Sequence, residues 1–251
     1  MRFCCLGSGS KGNATLVQFG QTLLLIDCGF SLKYMQAALA KQGCKPEDIT
    51  AILLTHEHGD HIAGVNALAK RFSLPVYLTP GTARSKRIAV EKLSVQWLQP
   101  DVSVEIGDIS VLPVTVPHDA MEPCQFVFST AGKKLGVMTD LGSISEHVEK
   151  HFSGCDALLL EANHDVDMLW AGPYPPSLKR RVLGEWGHLS NVQAVDYLQR
   201  IDTLPETLVL GHISEENNSV SLVEQAFAGF QNDISDIIYA AQDSGFDWLE
   251  V

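Results

Sequence analysis

The 251-residue sequence has no C-x-x-C pair, no long apolar run and no excess of basic charge. Its six cysteines lack the spacing of a small disulfide-stapled domain, so we expect reduced thiols and a cytoplasmic protein. No apolar stretch approaches the roughly 20 residues of a membrane helix, and the opening MRFCC lacks a secretion-signal pattern. A formal net charge of −12 argues against non-specific coating of nucleic acid or anionic lipid.

The remaining composition is that of an ordinary globular protein, with 45% hydrophobic and 19% charged residues. No repeat, low-complexity tract or linker-like stretch divides the chain, so we expect residues 1–251 to form a single domain. Strand-like apolar runs alternate with helical patterns in both halves. Two strand-rich halves with helices on their outer sides predict an α/β fold with two packed sheets, a four-layer αββα sandwich.

A glycine motif near the start raises the question of dinucleotide binding. Gly7, Gly9 and Gly12 have the spacing G-x-G-x-x-G, and Asp27 follows at about the distance of a ribose-binding acid. Pyrophosphate binding needs a helix after the third glycine, whereas the β-rich runs on either side of Gly20 predict a β-hairpin. The glycines therefore indicate a tight loop. A nucleotide-binding regulator that uses this loop, with structural histidines, is one rival to the metal-dependent hydrolase described below.

The segment LLTHEHGDHIAGV carries the clearest chemical signal, because it reads H-x-H-x-D-H directly after a predicted buried strand. His56 and His58 are two residues apart in extended chain, so their imidazoles point the same way. Asp60 and His61 open a predicted helix in HIAGVNALAKRF, where they can face a second cation. Imidazoles with a carboxylate are a ligand set typical of zinc, and manganese or iron also fits.

Three further candidate ligands follow later predicted strands. They are His118 in VTVPHDAMEP, Asp140 in LGVMTDLGS and His212 in TLVLGHIS. A carboxylate at the position of Asp140 can bridge two cations, and a two-metal centre needs about this many ligands. The sequence therefore predicts that seven side chains converge on two divalent metal ions.

The order THEHGDHIAG, PH, TD and GH resembles the metallo-β-lactamase-fold hydrolases along essentially the whole chain. The resemblance implies an αββα sandwich with the metals in a cleft where the sheets meet. It assigns the first metal to His56, His58 and His118, the second to Asp60, His61 and His212, and the bridging position to Asp140. LGSGSKGNATLV, LLLEANHD and LGHISEENNS further resemble the YycJ/WalJ branch, regarded as 5′–3′ exonuclease-like, and the layout is also similar to the RNase Z branch.

Phosphodiester hydrolysis is the function that these features favour, and the resemblance implies a 5′–3′ exonuclease with DNA, rather than RNA, as its substrate. Asp60 is expected to orient or deprotonate the attacking water. His188 in GEWGHLSN is expected to protonate the leaving oxygen, with Glu161 setting its tautomer, and a helix-capping role is the alternative for His188.

Substrate contacts are expected from the glycine loop, from a basic run and from one further histidine. The candidates are Ser8, Ser10, Asn13, Lys179, Arg180, Arg181 and His164. The alternative function is a hydrolase of small esters, lactones, thioesters or cyclic phosphodiesters on the same two metals. The net charge of −12 favours that alternative.

Overall fold

Fourteen strands form two seven-stranded sheets in the computed structural model, which describes residues 1–251. The first sheet has the order β14-β1-β2-β3-β4-β5-β6. Its strands are β1 (Arg2–Gly7), β2 (Ala14–Phe19), β3 (Thr22–Ile26), β4 (Ala51–Leu53), β5 (Pro75–Leu78), β6 (Ser94–Trp97) and β14 (Phe246–Glu250). Strands β3 to β6 are parallel to one another, and the pairs on the other side of β3 are antiparallel.

The second sheet repeats this plan with the order β13-β12-β11-β10-β9-β8-β7. Its strands are β7 (Val104–Ile106), β8 (Ile109–Thr115), β9 (Cys124–Thr130), β10 (Lys133–Met138), β11 (Ala157–Glu161), β12 (Thr207–Gly211) and β13 (Asp236–Tyr239). Strands β10 to β13 are parallel. In both sheets the carboxyl ends of the parallel strands are therefore available to build a crevice, as is usual for ligand sites in such sheets.

Eight α-helices accompany the two sheets. They are α1 (Leu32–Lys41), α2 (Gly59–Ile62), α3 (Val65–Phe72), α4 (Glu146–Phe152), α5 (Val166–Ala171), α6 (Pro176–Val182), α7 (Asn191–Arg200) and α8 (Val220–Phe227). None of them combines the length and the hydropathy needed to cross a bilayer. All six cysteines are free and buried.

Three layers of apolar side chains separate the helices and the sheets. Along β3, Leu23 and Leu25 join the cluster that includes residues of α1 and α3, whereas Leu24 and Ile26 join the cluster shared by both sheets. This alternation follows from the two-residue period of a strand. A third cluster joins the second sheet to α4, α7 and α8. Because both faces of the strands are buried, they read as continuous apolar runs. The predicted four-layer αββα sandwich is confirmed.

The glycine-rich segment leads into a hairpin. β2 and β3 pair antiparallel across Gly20 and Gln21, with Gly20 at φ +57°. No helix lies between Gly12 and Asp27, so the phosphate-binding arrangement of a dinucleotide fold is absent.

The predicted continuous helix over HIAGVNALAKRF is wrong, because the segment forms two helices. α2 ends at Ile62 and α3 begins at Val65. At the break, the Gly64 amide donates to the Cys28 carbonyl at 2.8 Å, and a Cβ at Gly64 would lie 2.0 Å from the Phe30 carbonyl oxygen. The close approach of the segment after β3 therefore divides the helix. Strand β6 and helix α5 were not evident from the sequence.

We predict that Gly29→Ala lowers the free energy of unfolding by about 3 kcal/mol, because the added methyl cannot be accommodated. A Cβ at Gly29 would lie 1.7 Å from the Asp60 carbonyl oxygen and 2.7 Å from the Asn13 amide nitrogen. Gly229→Ala is the matched control, since its Cβ meets nothing within 4 Å, and it should change stability by less than about 1 kcal/mol. Denaturant unfolding measures both, and equal effects would contradict the close packing of these loops.

Candidate metal centre

Strand ends from both sheets bring acidic and imidazole side chains into one crevice. The first sheet contributes the segments that follow β3 and β4, and the second sheet contributes those that follow β8, β10, β11 and β12. The side chains brought together are Asp27, His56, His58, Asp60, His61, His118, Asp140, Glu161, His188 and His212. The seven predicted ligands are all in this set.

The first group consists of three imidazoles, His56, His58 and His118, whose candidate ligand atoms lie within 4.8 Å of one another. His118 Nε2 is 3.2 Å from His58 Nδ1, and the ring centroids of His56 and His118 are 4.8 Å apart. His118 comes from the second sheet, so this group joins the two halves of the chain. Three imidazole nitrogens at this separation can hold one divalent cation.

The second group contains Asp60, His61 and His212, again with candidate ligand atoms within 4.8 Å of one another. His61 Nε2 lies 3.6 Å from Asp60 Oδ2 and 3.3 Å from Asp140 Oδ2. Asp140 also forms a group with His56 and His61. Its carboxylate therefore borders both the first and the second group.

Unpaired buried atoms test whether cations fit between these groups. His56 Nε2, Asp140 Oδ2 and His212 Nε2 are buried and have no hydrogen-bond partner. Leaving such an atom unsatisfied costs about 1–3 kcal/mol, so native proteins rarely do so without a reason. Lone pairs on imidazole nitrogen and carboxylate oxygen are ligands for zinc-type divalent cations, and the residues present fit such ions.

The orientation of four buried imidazoles of the centre is set by a hydrogen bond on the far side of each ring. The Nδ1 atoms contact Thr55 Oγ1 at 2.9 Å for His56, Asp27 Oδ2 at 2.7 Å for His61, the Gly187 carbonyl at 3.0 Å for His118 and Glu161 Oε1 at 2.8 Å for His212. Outer contacts of this kind fix the tautomer and ring direction of metal-binding histidines. Each of these four rings consequently presents Nε2 to the crevice.

Asp27 is a positioning residue whose role was missed from the sequence. Besides its contact with His61, its carboxylate accepts the Thr55 backbone amide at 2.9 Å and the Thr55 hydroxyl at 2.8 Å. It thereby ties the end of β3 to the segment that carries the first two histidines. The available signal is an acid directly after the apolar strand TLLLI, and the glycine motif points to Asp27 only as a ribose-binding acid.

Three residues of the crevice have backbone conformations that L-residues rarely adopt. Asp27, Asp140 and His212 have φ of 58°, 55° and 53°, and they follow β3, β10 and β12. A left-handed conformation at a non-glycine residue costs roughly 1–2 kcal/mol. Such strain tends to persist at functional sites, where the surrounding structure enforces it.

Glu161 is fully hydrogen-bonded and connects two histidines. Its Oε1 contacts His188 Nδ1 and His212 Nδ1, each at 2.8 Å, and its Oε2 accepts the amides of Leu141 at 3.2 Å and Leu189 at 3.0 Å. Burial raises the pKa of Glu161, but the two histidines outweigh it and lower the pKa to about 2. An ionised Glu161 therefore holds both imidazoles by Nδ1.

His188 has the geometry of a functional residue and does not cap a helix. The N-cap of α7 is Ser190, whose side chain accepts the Gln193 amide in a capping box. The His188 side chain is 22% exposed and lines a cavity beside the centre. With Nδ1 held by Glu161, its Nε2 is the atom left for chemistry.

The protonation of the imidazoles differs between the two groups. Burial lowers the pKa of His56 well below its ordinary value and that of His118 to about 4, so both are neutral near pH 7. Burial also lowers the pKa of His212, but Asp140 and Glu161 outweigh it and raise the pKa to about 9. A cation that binds His212 must therefore displace a proton, and metal affinity falls as the pH falls.

The glycine loop reaches the centre through Asn13. Asn13 Nδ2 lies 3.1 Å from His61 Nε2 and 3.5 Å from Asp60 Oδ2, and its Oδ1 accepts the Gly9 amide. Ser8 is buried and its Oγ accepts the His212 amide at 2.8 Å, which is a structural contact. Of the three loop residues predicted to contact substrate, only Ser10 lies exposed on the cavity.

The cavity beside the centre has a volume of about 170 Å³. Its polar lining includes Ser10, Asp119, Asn163, Tyr174, Arg181 and His188. The Arg181 guanidinium pairs with Asp119, whose other carboxylate oxygen is 3.6 Å from His118 Nε2 and 3.8 Å from His58 Nε2. Asp119 was not predicted as a site residue. It links the Arg181 guanidinium to His58 and His118 of the first group.

The structure separates the other predicted substrate contacts from this cavity. The Lys179 side chain is buried and its ammonium donates to the Trp170 carbonyl, so it anchors helix α6. Arg180 is exposed but does not line the cavity. His164 is fully buried and is not among the residues that line the cavity, and burial lowers its pKa to about 4. Arg181 is thus the residue of the basic run that faces the centre.

Comparison with known proteins agrees with the fold. Residues 22–213 match the family described as the beta-lactamase superfamily domain. The chain therefore belongs to the β-lactamase superfamily of the metallo-β-lactamase fold. YhfI from Bacillus subtilis, a metallo-β-lactamase-fold protein, superposes with a TM-score of 0.74 at 18% identity and covers 99% of both chains, which supports the fold alone.

Two relatives resemble the chain along most of its length. Exodeoxyribonuclease WalJ of Streptococcus pneumoniae is 35% identical over 223 residues, which are 86% of this chain and 83% of that protein. Exodeoxyribonuclease YycJ of Bacillus anthracis is 35% identical over 232 residues, covering 90% and 87%. Ribonuclease Z of Methanopyrus kandleri is 38% identical over 111 residues, 41% of this chain and 39% of that protein. The predicted resemblance to the YycJ/WalJ branch is confirmed.

We predict that Asp27→Asn weakens divalent-metal affinity by roughly 10- to 100-fold, because the amide cannot accept both the Thr55 hydroxyl and the His61 ring N–H in the same way. Asp108→Asn is the control, since Asp108 also accepts backbone and side-chain hydrogen bonds, at Gln21 and Thr22, outside the centre. Competition with a chromogenic chelator measures both affinities. An unchanged affinity in Asp27→Asn would remove its positioning role.

Proposed function

We propose that this chain is an exodeoxyribonuclease that hydrolyses the phosphodiesters of DNA from the 5′ end, with two divalent cations as cofactors. The observation that carries the proposal is the convergence of seven ligand side chains beside a cavity that also holds a Glu161-bound imidazole and one arginine. The two exodeoxyribonuclease relatives, similar along most of the chain, support DNA as the substrate.

The proposed ligand sets follow the two groups of side chains. We assign the first cation to His56, His58 and His118, the second to Asp60, His61 and His212, and the bridging position to Asp140. Zinc suits this donor set best, with manganese or iron as alternatives. Bound cations would supply positive charge to the phosphate oxygens and make a water molecule a nucleophile near neutral pH.

Asp60 and His188 carry out the two proton transfers of the reaction. Asp60, whose side chain is 24% exposed, takes a proton from the water whose oxygen forms the new bond to phosphorus. The bond from phosphorus to the 3′ oxygen then breaks, and His188 donates a proton from Nε2 to that oxygen. Glu161 keeps the His188 ring oriented by its contact with Nδ1, so Nε2 remains directed at the leaving group.

Arg181 supplies the phosphate contact. Its side chain is 55% exposed, and its pairing with Asp119 places the guanidinium on the wall of the cavity. A planar guanidinium can donate two parallel hydrogen bonds to a phosphate while remaining near Asp119. Ser10 and Asn163 offer further polar groups on the same wall. Such contacts position a strand without reading its sequence.

The organisation and location of the protein follow the same proposal. Residues 1–251 act as one domain, because one apolar cluster takes side chains from both sheets. A cytoplasmic location suits six free, buried thiols.

The test is cleavage of a 5′-phosphorylated single-stranded oligonucleotide carrying a 3′ fluorophore, with Mn²⁺ or Zn²⁺ restored to the purified protein. We expect a ladder of labelled products that shorten progressively from the 5′ end, and loss of both metal and cleavage in Asp60→Ala. An intact strand, together with turnover of a lactone, thioester or cyclic phosphodiester panel, would reject the nuclease and establish the small-molecule alternative.

A further inference from the structure

Trp186 is an exposed aromatic residue at the metal centre, and neither the catalytic steps nor the apolar core uses it. Its surface is 60% exposed, although a residue of this size normally buries most of its area. It belongs to none of the three apolar clusters. Trp97 and Trp170 are comparably exposed, at 59% and 55%, so what distinguishes Trp186 is the position of its main chain beside the centre.

The main chain around Trp186 is bonded directly to the residues of the centre. The Trp186 carbonyl accepts the Asp119 amide at 2.9 Å, and the next carbonyl, that of Gly187, accepts His118 Nδ1 at 3.0 Å. His188 follows one residue later. Trp186 is therefore bonded through its main chain to Asp119, the partner of Arg181, and lies two residues before the proposed general acid. The indole does not itself line the cavity, so the base that it contacts must lie outside the cavity.

The loop that carries Trp186 is held on several sides. Within the loop, the Gly187 amide donates to the Gly184 carbonyl at 2.8 Å and the His188 amide to the Val182 carbonyl at 3.0 Å. Across from it, Gly142 approaches so closely that a Cβ there would lie 2.3 Å from the Gly187 nitrogen. A held loop lowers the entropy lost when a ligand binds to its side chain.

We propose that Trp186 is a stacking platform for an unpaired base of the DNA strand next to the scissile phosphate. The inference rests on the proposed nuclease function and specifies a single-stranded substrate end. Every base has a π-face, so stacking on an indole binds any sequence, which suits an enzyme that removes nucleotides in succession. In this arrangement, the Arg181 guanidinium binds the phosphate and the Trp186 indole stacks on the base.

Because the protein is acidic, we expect base stacking, relative to phosphate contacts, to contribute a larger part of its affinity for DNA. The chain has a formal net charge of −12, and Arg181 is the one residue of the basic run that lines the cavity. Phosphate contacts alone usually provide most non-specific affinity for nucleic acid through many lysines and arginines. Stacking on Trp186 adds affinity to the contacts that Arg181 and Arg87, whose guanidinium lies against Gly59, can make with phosphates, and it does so without adding positive charge.

The test compares Trp186→Ala and Trp186→Phe with the unchanged holoenzyme on two 5′-phosphorylated strands, one with normal bases and one abasic throughout. Trp186→Ala should raise KM on the normal strand by about 10-fold or more, and Trp186→Phe should retain most of the binding. On the abasic strand, which has nothing to stack, both variants should match the unchanged enzyme.

Trp97→Ala is the matched control, because Trp97 is 59% exposed on the edge strand β6 and takes no part in the centre. It should leave both strands unaffected. Equal losses on normal and abasic strands would show that Trp186 only supports the metal centre, and no loss on the normal strand would leave it free for another partner; either result overturns the inference. An unchanged enzyme that cleaves neither strand would instead overturn the proposed function, and the inference with it.

Discussion

Two buried carboxylates, Asp27 and Glu161, determine what the rest of the crevice can do. Each accepts a hydrogen bond from the outer nitrogen of a buried imidazole, at 2.7 Å to His61 and 2.8 Å to His212. Because Asp27 follows a strand of the first sheet and Glu161 ends a strand of the second, the two sheets aim their imidazoles at a common space. Without these bonds, the rings would be free to turn and the Nε2 lone pairs would not converge.

Without bound cations, the crevice lowers the stability of the folded chain. Three left-handed strand ends, unpaired buried nitrogen and oxygen atoms and closely spaced imidazoles all oppose folding. The apolar clusters on both faces of each sheet supply the stability that tolerates this arrangement. Cations that bind the folded state alone would recover part of the cost, since ligand binding to the native state adds to stability.

Much of the fold, and most of the side chains that converge in the crevice, could be predicted from the sequence. The H-x-H-x-D-H segment is local, and His118, Asp140 and His212 each follow an apolar strand that reads clearly. Glu161 is expected from the sequence as the partner of His188, but its contact with His212, 51 residues away, and the pairing of Asp27 with His61, 34 residues away, could not be found in this way. Asp119 was missed for the same reason, since its partner Arg181 lies 62 residues away.

The differences between the sequence expectations and the structure also have physical causes. The helix over HIAGVNALAKRF has a continuous helical pattern, and only the close approach of the Phe30 segment at Gly64 divides it. Lys179, Arg180 and Arg181 are equivalent as charges in the sequence, but helix geometry sends them in different directions. Lys179 is buried, and Arg180 is exposed but does not line the cavity, so Arg181 is the residue of this run on the cavity wall.

The most direct test of the central claim is anomalous X-ray scattering from crystals of the zinc-loaded protein, recorded on both sides of the zinc absorption edge. The account predicts two peaks roughly 3.5–4 Å apart, one among the nitrogens of His56, His58 and His118 and the other among Asp60, His61 and His212. Metal peaks elsewhere on the protein, with none between these side chains, would contradict it.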